Sequence, residues 1–220
     1  MTEIVRLHLA NLRGVDGLDW PVHGFVILDP RAGAILVDSG VGGPEDVLTD
    51  WRVVNRSVDE ALGEHGLSPA DIRIVINTHL HFDHCGQNAV FRHAPFYIQR
   101  LELDRARVES PELTDWFDFA GARYELLDGD APISETVRVI ATPGHTVGHQ
   151  CVAVATGDGE ELLIGDAAYT SRLYRDPDRE DLPWGQADDH PAWSASLRRV
   201  HSMSPAAVHF CHDTHVVRRG

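Results

Sequence analysis

Four side chains that commonly bind metals lie within six residues near the middle of the chain: His79, His81, Asp83 and His84. His79 and His81 are two positions apart, so an extended backbone points both imidazoles to the same side. Asp83 and His84 follow directly, and a turn of the backbone there would aim them at a neighbouring point. A solvated histidine-rich loop would not require imidazole and carboxylate groups at this density, whereas a zinc-type metal site would. The segment therefore predicts a metal centre.

Each of three later candidate ligands, His145, Asp166 and His212, follows an apolar run typical of a buried strand. The first cluster also follows such a run, at residues 72–77. Glycine stands beside His145 and Asp166, where it allows the backbone to turn sharply. Because open α/β sheets place their ligands at the carboxyl ends of strands, we expect four strand ends to build one composite site.

The Thr-His-x-His-x-Asp-His motif at residues 78–84, with the isolated His, Asp and His that follow, resembles the metallo-β-lactamase superfamily of metallohydrolases. The resemblance extends from about Val22 to His212, and no ligand position is missing. It implies that the first metal is bound by His79, His81 and His145. It implies that the second metal is bound by Asp83, His84 and His212, and that Asp166 is the carboxylate that bridges both metals. It also implies an α/β fold, the αββα sandwich called the metallo-β-lactamase fold, in which helices flank two mixed β-sheets.

A centre of this kind would hold two divalent metal ions. Zinc is the expected metal, although His and Asp ligands also accept Mn, Fe or Co. Two cations that share a carboxylate can lower the pKa of a bridging water to near neutrality, so we expect a metal-bridging hydroxide to open an acyl bond. The sequence contains no Gly-x-Ser-x-Gly motif, and this chemistry needs no serine or cysteine nucleophile. The expected partner is a small-molecule acyl substrate: a lactone, ester, thioester or amide.

Tyr169 follows Asp166 by three residues, in the segment Gly-Asp-Ala-Ala-Tyr. Taken alone, this tyrosine is as compatible with packing as with function. Together with the motifs at residues 79–84 and 144–150, however, it resembles the N-acyl-homoserine lactone lactonase branch of the superfamily. That resemblance implies a hydroxyl that hydrogen-bonds the substrate carbonyl and supports the oxyanion. Tyr169 and Asp83 are therefore the candidate catalytic residues, and the expected substrate is an N-acyl-homoserine lactone.

Several features leave the acyl-chain preference open. The segment before Val22 is shorter than in those lactonases, and Cys85 stands where they usually have a small residue. Residues 113–124 form either an apolar pocket wall or ordinary core packing. Asp38 is expected to orient a ligand histidine, and His149 is expected to be a packed histidine rather than a ligand. Cys85 and Cys211 are expected to be small buried side chains.

Alternative functions share parts of these motifs. A glyoxalase-II-like thioesterase normally carries a C-terminal helical region for its glutathione conjugate, and only eight residues follow His212. A persulfide-dioxygenase-like enzyme uses a single iron on the first-metal ligands, so complete second-metal ligands disfavour it. A ribonuclease-Z-like nuclease is disfavoured by the acidic composition. Metal binding without catalysis is disfavoured by the bridging Asp166.

Composition narrows the possible partners and location. The chain has 220 residues, with 19 basic and 34 acidic side chains and a net charge of −15, which disfavours nucleic acid as a partner. No stretch approaches the roughly 20 apolar residues of a membrane span. The start of the chain lacks a signal-peptide pattern, and the three cysteines form no metal-type pair, so we expect a cytoplasmic protein. A homodimer is compatible with the sequence.

The elements that must position these residues alternate between strands and helices. The patterns predict strands near residues 4–9, 24–28 and 34–38, the last two joined by a turn at residues 29–33. They predict helices at residues 57–65, 99–108 and 189–202, and a short helix after Pro111. Strands interleaved with helices indicate sheets covered by helices. No linker or internal repeat divides the chain, so we expect a single domain over residues 1–220.

Overall fold

Two mixed β-sheets face each other and carry helices on their outer sides. The computed structural model describes residues 1–13, 17–176, 182–183 and 185–219. Within these ranges the first sheet has seven strands: β1 Glu3–Arg13, β2 Asp19–Asp29, β3 Gly33–Val37, β4 Val54–Asn55, β5 Ile72–Ile76, β6 Phe96–Gln99 and β7 Tyr124–Leu127. The second sheet has six: β8 Ala131–Pro132, β9 Val137–Ala141, β10 Gln150–Thr156, β11 Gly159–Leu163, β12 Ala207–His209 and β13 Val217–Arg218.

The helices of the described residues lie between and after these strands. They are α1 Glu45–Asp50, α2 Val58–Gly63, α3 Phe82–Cys85, α4 Arg100–Glu109, α5 Thr114–Phe117, α6 Ser171–Arg175 and α7 His190–Ser202. Single 3-10 turns occur at Pro69–Asp71, Asn88–Phe91, Pro111–Leu113 and Gly165–Ala167. No helix in the described part of the chain is both long and apolar enough to cross a membrane.

Strand pairing makes both sheets mixed. In the first sheet the strand order is β4-β1-β2-β3-β5-β6-β7, and the β3–β5, β5–β6 and β6–β7 pairs are parallel. In the second sheet the order is β13-β12-β11-β10-β9-β8, and the β11–β12 pair is parallel. Each parallel pair ends at the same edge of its sheet, where the candidate ligands follow β5, β11 and β12.

Alternation along the strands produces the four layers. Phe25 and Ile27 of β2 belong to the core between the sheets, whereas Val26 points to the opposite face and packs in one cluster with Leu62 of α2. Successive side chains of a strand face opposite sides, so each strand serves both an inner and an outer core. The expectation of an αββα sandwich is confirmed.

The second sheet repeats this arrangement. Val152 of β10 faces the core between the sheets, whereas Cys151 and Ala153 belong to an outer cluster with Trp193 and Leu197 of α7. Helix α7 therefore covers the second sheet as α2 covers the first. The candidate metal centre lies at the edge where both sheets end.

Capping residues mark the beginnings of α2 and α7, as the sequence predicted. The Ser57 hydroxyl accepts a hydrogen bond from the Glu60 N–H at 3.1 Å and begins α2. The Asp189 carboxylate accepts one from the Ala192 N–H at 3.0 Å and begins α7. After α2, Gly66 adopts a φ of 71°, a left-handed conformation that glycine favours.

The first two strands are longer than the predicted residues 4–9 and 24–28. β1 and β2 each have 11 residues, and their pairing continues to Arg13 opposite Asp19, past a register shift between His8 and Ala10. Polar residues such as Asn11 interrupt the apolar alternation although backbone pairing persists. A prediction from side-chain pattern alone therefore ends both strands too early.

Candidate metal centre

Three imidazoles converge at one point beyond β5 and β9. His79 Nε2 lies 2.9 Å from His81 Nδ1, and His145 Nε2 lies 3.1 Å from both of these nitrogens. These three residues are called the first triad. Burial, reinforced by neighbouring imidazoles, holds the pKa of His79 and of His81 well below the ordinary value. Both rings are therefore neutral at physiological pH, the state in which an imidazole nitrogen binds a metal.

A second group of side chains forms beside the first. Asp83 Oδ2 lies 3.7 Å from His84 Nε2 and 3.4 Å from His212 Nε2. These three residues are called the second triad. Burial alone would lower the pKa of His84, but Asp166, Asp83 and Asp38 raise it well above the ordinary value. These three carboxylates lie close to His84 and provide an environment that attracts a cation.

Asp166 lies between the two triads. Its Oδ1 is 3.4 Å from both His84 Nε2 and His212 Nε2. Its Oδ2 is 3.4 Å from His145 Nε2 and 3.8 Å from His79 Nε2. One carboxylate oxygen thus faces each triad, the placement required of a bridging ligand. The 3-10 turn Gly165–Ala167, which follows β11, sets this position.

These residues fit a pair of divalent cations. His84 Nε2 and Asp166 Oδ1 are buried side-chain atoms that have no hydrogen-bond partner among the described residues. Buried polar atoms are normally paired, because an unpaired one costs about 1–3 kcal/mol. Both atoms face the centre of the cluster, where a cation would supply the missing partner. Five imidazoles and two carboxylates form a donor set that suits zinc-type metals.

Neighbouring groups fix the orientation of the second triad's histidines. His84 Nδ1 donates to Asp38 Oδ2 at 2.8 Å, and Asp38 also accepts hydrogen bonds from the Thr78 N–H and hydroxyl. His212 Nδ1 donates to the Pro21 carbonyl at 2.9 Å. In both rings Nε2 is left to face the cluster. Asp38 therefore orients a histidine, as its place after β3 predicted.

His149 lies behind the centre and is not positioned as a ligand. Its Nε2 accepts a hydrogen bond from the Asp166 N–H at 3.0 Å, and its Nδ1 donates to the Thr142 carbonyl at 3.2 Å. Both ring nitrogens are thus occupied by the protein. Burial lowers the pKa of His149 to about 3, which keeps the ring neutral and able to accept. The expected packed role holds, and the ring supports the turn that carries Asp166.

The cysteines near the ligands are buried and free. Cys85 packs with Leu80 and Phe117, and Cys211 lies in the core between the sheets. Burial raises the pKa of the Cys211 thiol to about 12, so it remains protonated. Both cysteines match the expectation of small buried side chains.

Tyr169 lies beside both triads. Its ring centroid is 5.7 Å from that of His145 and 5.3 Å from that of His212, in edge-on arrangements. Burial, with the nearby carboxylates Asp166 and Asp83, raises the pKa of Tyr169 well above the ordinary value. Its hydroxyl is therefore protonated and able to donate a hydrogen bond.

An aromatic side chain near the centre comes from a residue that the sequence analysis did not single out. Residues 113–124 were expected to form either a pocket wall or core packing, and Phe117 packs in the core, fully buried in a cluster with Leu80. Instead, the Trp20 ring lies 5.8 Å from Tyr169 and 6.2 Å from His212. No sequence signal pointed to Trp20, because β2 meets His212 only through the tertiary fold.

Comparison with known proteins agrees with this geometry. The sequence profile of the metallo-beta-lactamase superfamily matches residues 19–212. An N-acyl homoserine lactonase from Bacillus sp is 30% identical over 214 residues, covering 89% of this chain and 82% of the relative. The N-acyl homoserine lactonase AttM from Agrobacterium fabrum is 31% identical over 199 residues, covering 75% of this chain and 72% of the relative.

A solved structure shares the fold. A crystal structure of a B. thuringiensis AiiA variant, with N-decanoyl-L-homoserine bound at its active site, matches with a TM-score of 0.80 and 23% identity over 97% of this chain and 93% of that chain. The profile match includes every residue of both triads and Asp166. The chain therefore belongs to the metallo-β-lactamase superfamily, and its relatives include N-acyl homoserine lactonases.

Proposed function

We propose that this protein is a dinuclear metal-dependent hydrolase that opens the ester bond of a lactone, with an N-acyl-homoserine lactone as its substrate. The main support for the proposal is the position of the Asp166 carboxylate. Its Oδ1 faces the second triad and its Oδ2 faces the first triad. The relatives at about 30% identity, which are N-acyl homoserine lactonases, support the substrate class.

In this proposal, each triad holds one divalent cation and Asp166 serves both. Zinc is the proposed metal because the donors are imidazole and carboxylate groups alone. When bound, such a pair supplies Lewis-acid chemistry, which acidifies water and polarises a carbonyl. The protein holds its ligands in place through Asp38, the Pro21 carbonyl and the Gln186 carbonyl, which accepts from His145 Nδ1 at 3.1 Å.

Two side chains act on the substrate in this proposal. The Tyr169 hydroxyl donates a hydrogen bond to the lactone carbonyl oxygen as negative charge develops there. The raised pKa keeps that hydroxyl protonated. Asp83 Oδ2 lies at the centre, 3.4 Å from His212 Nε2, where it can take the proton of the attacking water and pass it to the leaving alkoxide.

A substrate and metal screen tests this proposal. Metal-free protein is reconstituted separately with zinc, manganese, cobalt and iron, and metal content is measured. Acyl-homoserine lactones, a glutathione thioester and a phosphodiester are then offered to each preparation. We expect two metal equivalents per chain and the fastest turnover with lactones. Two bound metals without lactone hydrolysis would refute the lactonase assignment, and faster thioester cleavage would favour the glyoxalase-II-like alternative.

A further inference from the structure

A buried carboxylate on α4 joins two segments of the candidate metal centre. Glu102 is fully buried, and each of its oxygens accepts two hydrogen bonds. Oε1 accepts from the Leu80 N–H at 3.0 Å and from the Arg105 guanidinium at 2.6 Å. Oε2 accepts from the Thr146 hydroxyl at 2.6 Å and from the Gly148 N–H at 3.3 Å. None of these partners belongs to either triad.

Three of the four donors to Glu102 lie on the two chain segments that carry the first triad. Leu80 stands between His79 and His81, and Thr146 follows His145. The two segments are 66 residues apart in sequence, from His79 to His145, yet one carboxylate holds both. A hydrogen bond to the backbone N–H of Leu80 fixes the path of the chain that carries both histidines, and not merely one rotamer.

The second triad has different supports. His84 is held by Asp38 and His212 by the Pro21 carbonyl. All four hydrogen bonds that Glu102 accepts come from α4 itself or from the segments of the first triad. Loss of the Glu102 carboxylate should therefore disturb one half of the centre selectively.

Helix α4 provides a rigid base for this carboxylate. Leu103 and Ala106 are buried in one cluster with Leu80. On the other side, a Cβ added to Gly148 would collide with the backbone of Glu102, so the loop after His145 touches the helix directly. Packing therefore helps to set the position of Glu102 in addition to its hydrogen bonds.

Arg105 supplies the counter-charge for Glu102. Only 7% of its side chain is exposed, and it also reaches Glu109, whose side chain is 59% exposed, at 3.3 Å. The buried carboxylate thus has a guanidinium partner and three further hydrogen-bond donors.

We propose that Glu102 is a positioning residue that holds His79, His81 and His145 at metal-binding spacing and thereby sets the affinity of the first of the two metals. The inference rests on the proposed dinuclear centre. Groups that orient metal ligands typically change metal affinity by about 10–100-fold when they are removed. The expected signature is a loss confined to one of the two metals.

The test is Glu102→Gln, which preserves shape but replaces two acceptor oxygens by one oxygen and an amide. Cobalt is titrated into metal-free protein against a competing chelator, and the two dissociation constants are read from visible absorption. We expect one dissociation constant to rise by about 10–100-fold and the other to stay within threefold of wild type. Glu109→Gln, which removes the exposed partner of the same Arg105, is the matched control and should leave both unchanged.

A reference variant identifies the affected site. Asp83→Asn weakens the second triad, so combining it with Glu102→Gln should weaken both binding steps. If the combined variant weakens only one step, both substitutions act on the same site and the inference is wrong. Equal weakening of both metals by Glu102→Gln alone, with a lowered unfolding temperature of the metal-free protein, would show a general structural role and also refute it.

A double variant distinguishes two possible roles of Glu102, which are neutralising the charge of Arg105 and holding the first-triad segments by hydrogen bonds. If Glu102 acts only by neutralising Arg105 near the centre, Glu102→Gln combined with Arg105→Met should recover wild-type metal affinity. We expect no recovery, because a glutamine offers a single acceptor oxygen and cannot hold Leu80 and Thr146 at the same time. Recovery would overturn the positioning role.

A milder variant keeps the test available if Glu102→Gln does not fold. Thr146→Val removes one donor and should weaken the same metal by a smaller factor. No change in cobalt binding by Thr146→Val would then contradict the inference. Failure of wild type to bind two metals would instead refute the proposed function, so the two failures are distinguishable.

Discussion

Asp166 lies between the two halves of the candidate centre. It places one oxygen toward each triad, and Oδ1 has no hydrogen-bond partner among the described residues. In the proposed dinuclear centre, Asp166→Ala would leave two close cations without a shared anion. We therefore expect metal content to fall below two equivalents and lactone turnover to fall at least a hundredfold, on the order of the loss of a transition-state stabiliser. Metal analysis of the purified variant checks this, and full loading with wild-type turnover would contradict the bridging role.

Tyr169 differs from Asp166 because it contacts the centre through its ring and not as a ligand. Tyr169→Phe deletes only the hydroxyl, so fold and metal content should be unchanged. Removing an oxyanion donor costs about 10²–10³ in kcat, and because a metal shares the charge here we expect roughly a tenfold to hundredfold loss. The loss should appear in kcat more than in KM. Steady-state kinetics with an acyl-homoserine lactone decides, and an unchanged kcat would remove Tyr169 from the mechanism.

At the scale of elements, helix α3 is positioned by a contact between two glycines. A Cβ added to Gly86, at the end of α3, would collide with the backbone of Gly42. Gly86→Ala should therefore displace α3, which carries Asp83 and His84, and weaken the second metal with a stability loss of about 1–3 kcal/mol. Gly63→Ala is the matched control, since nothing lies within 4 Å of its added Cβ. Chemical unfolding and cobalt titration of both variants test this, and equal effects would refute the contact's role.

The sequence predicted those elements whose signals are local. Ser57 and Asp189 cap α2 and α7, and the apolar runs before His79 and Asp166 became β5 and β11. Short strands such as β6 and β7 were not predicted, because four residues give too little periodicity. Within the site, the local motifs indicated the candidate ligands, and the resemblance to the N-acyl-homoserine lactone lactonase branch indicated Tyr169.

The sequence did not indicate the side chains that approach the centre only through tertiary contacts, because no local motif surrounds them. Trp20 approaches Tyr169 from the beginning of β2, and Glu102 reaches Leu80 and Thr146 across 22 and 44 residues. In sequence, Glu102 is one of several acids on an amphipathic helix. Only its complete burial distinguishes it from its exposed neighbours such as Glu109.

At the scale of the whole molecule, the sheets meet through buried polar groups as well as through the apolar core. His23 of β2 is 4% exposed, and its Nδ1 donates to the Cys211 carbonyl at 3.0 Å, which joins the first sheet to the segment after β12. Burial, with Arg6 and His8 nearby, lowers the pKa of His23 from 6.5 to about 4. The folded protein therefore keeps this ring neutral where the unfolded chain would protonate it.

That difference gives the stability a defined pH dependence. Between pH 6.5 and about 4, His23 binds more protons in the unfolded state than in the folded state. Its contribution to the free energy of unfolding is therefore fully present above pH 6.5 and is lost as the pH falls toward 4. One pKa unit corresponds to about 1.4 kcal/mol, so a shift from 6.5 to about 4 contributes on the order of 3 kcal/mol. We expect His23→Asn, whose amide can still donate to Cys211 but does not titrate, to flatten this slope. Urea unfolding of metal-free wild type and variant from pH 7 to 4 measures it, and parallel slopes would show that other groups cause the acid sensitivity.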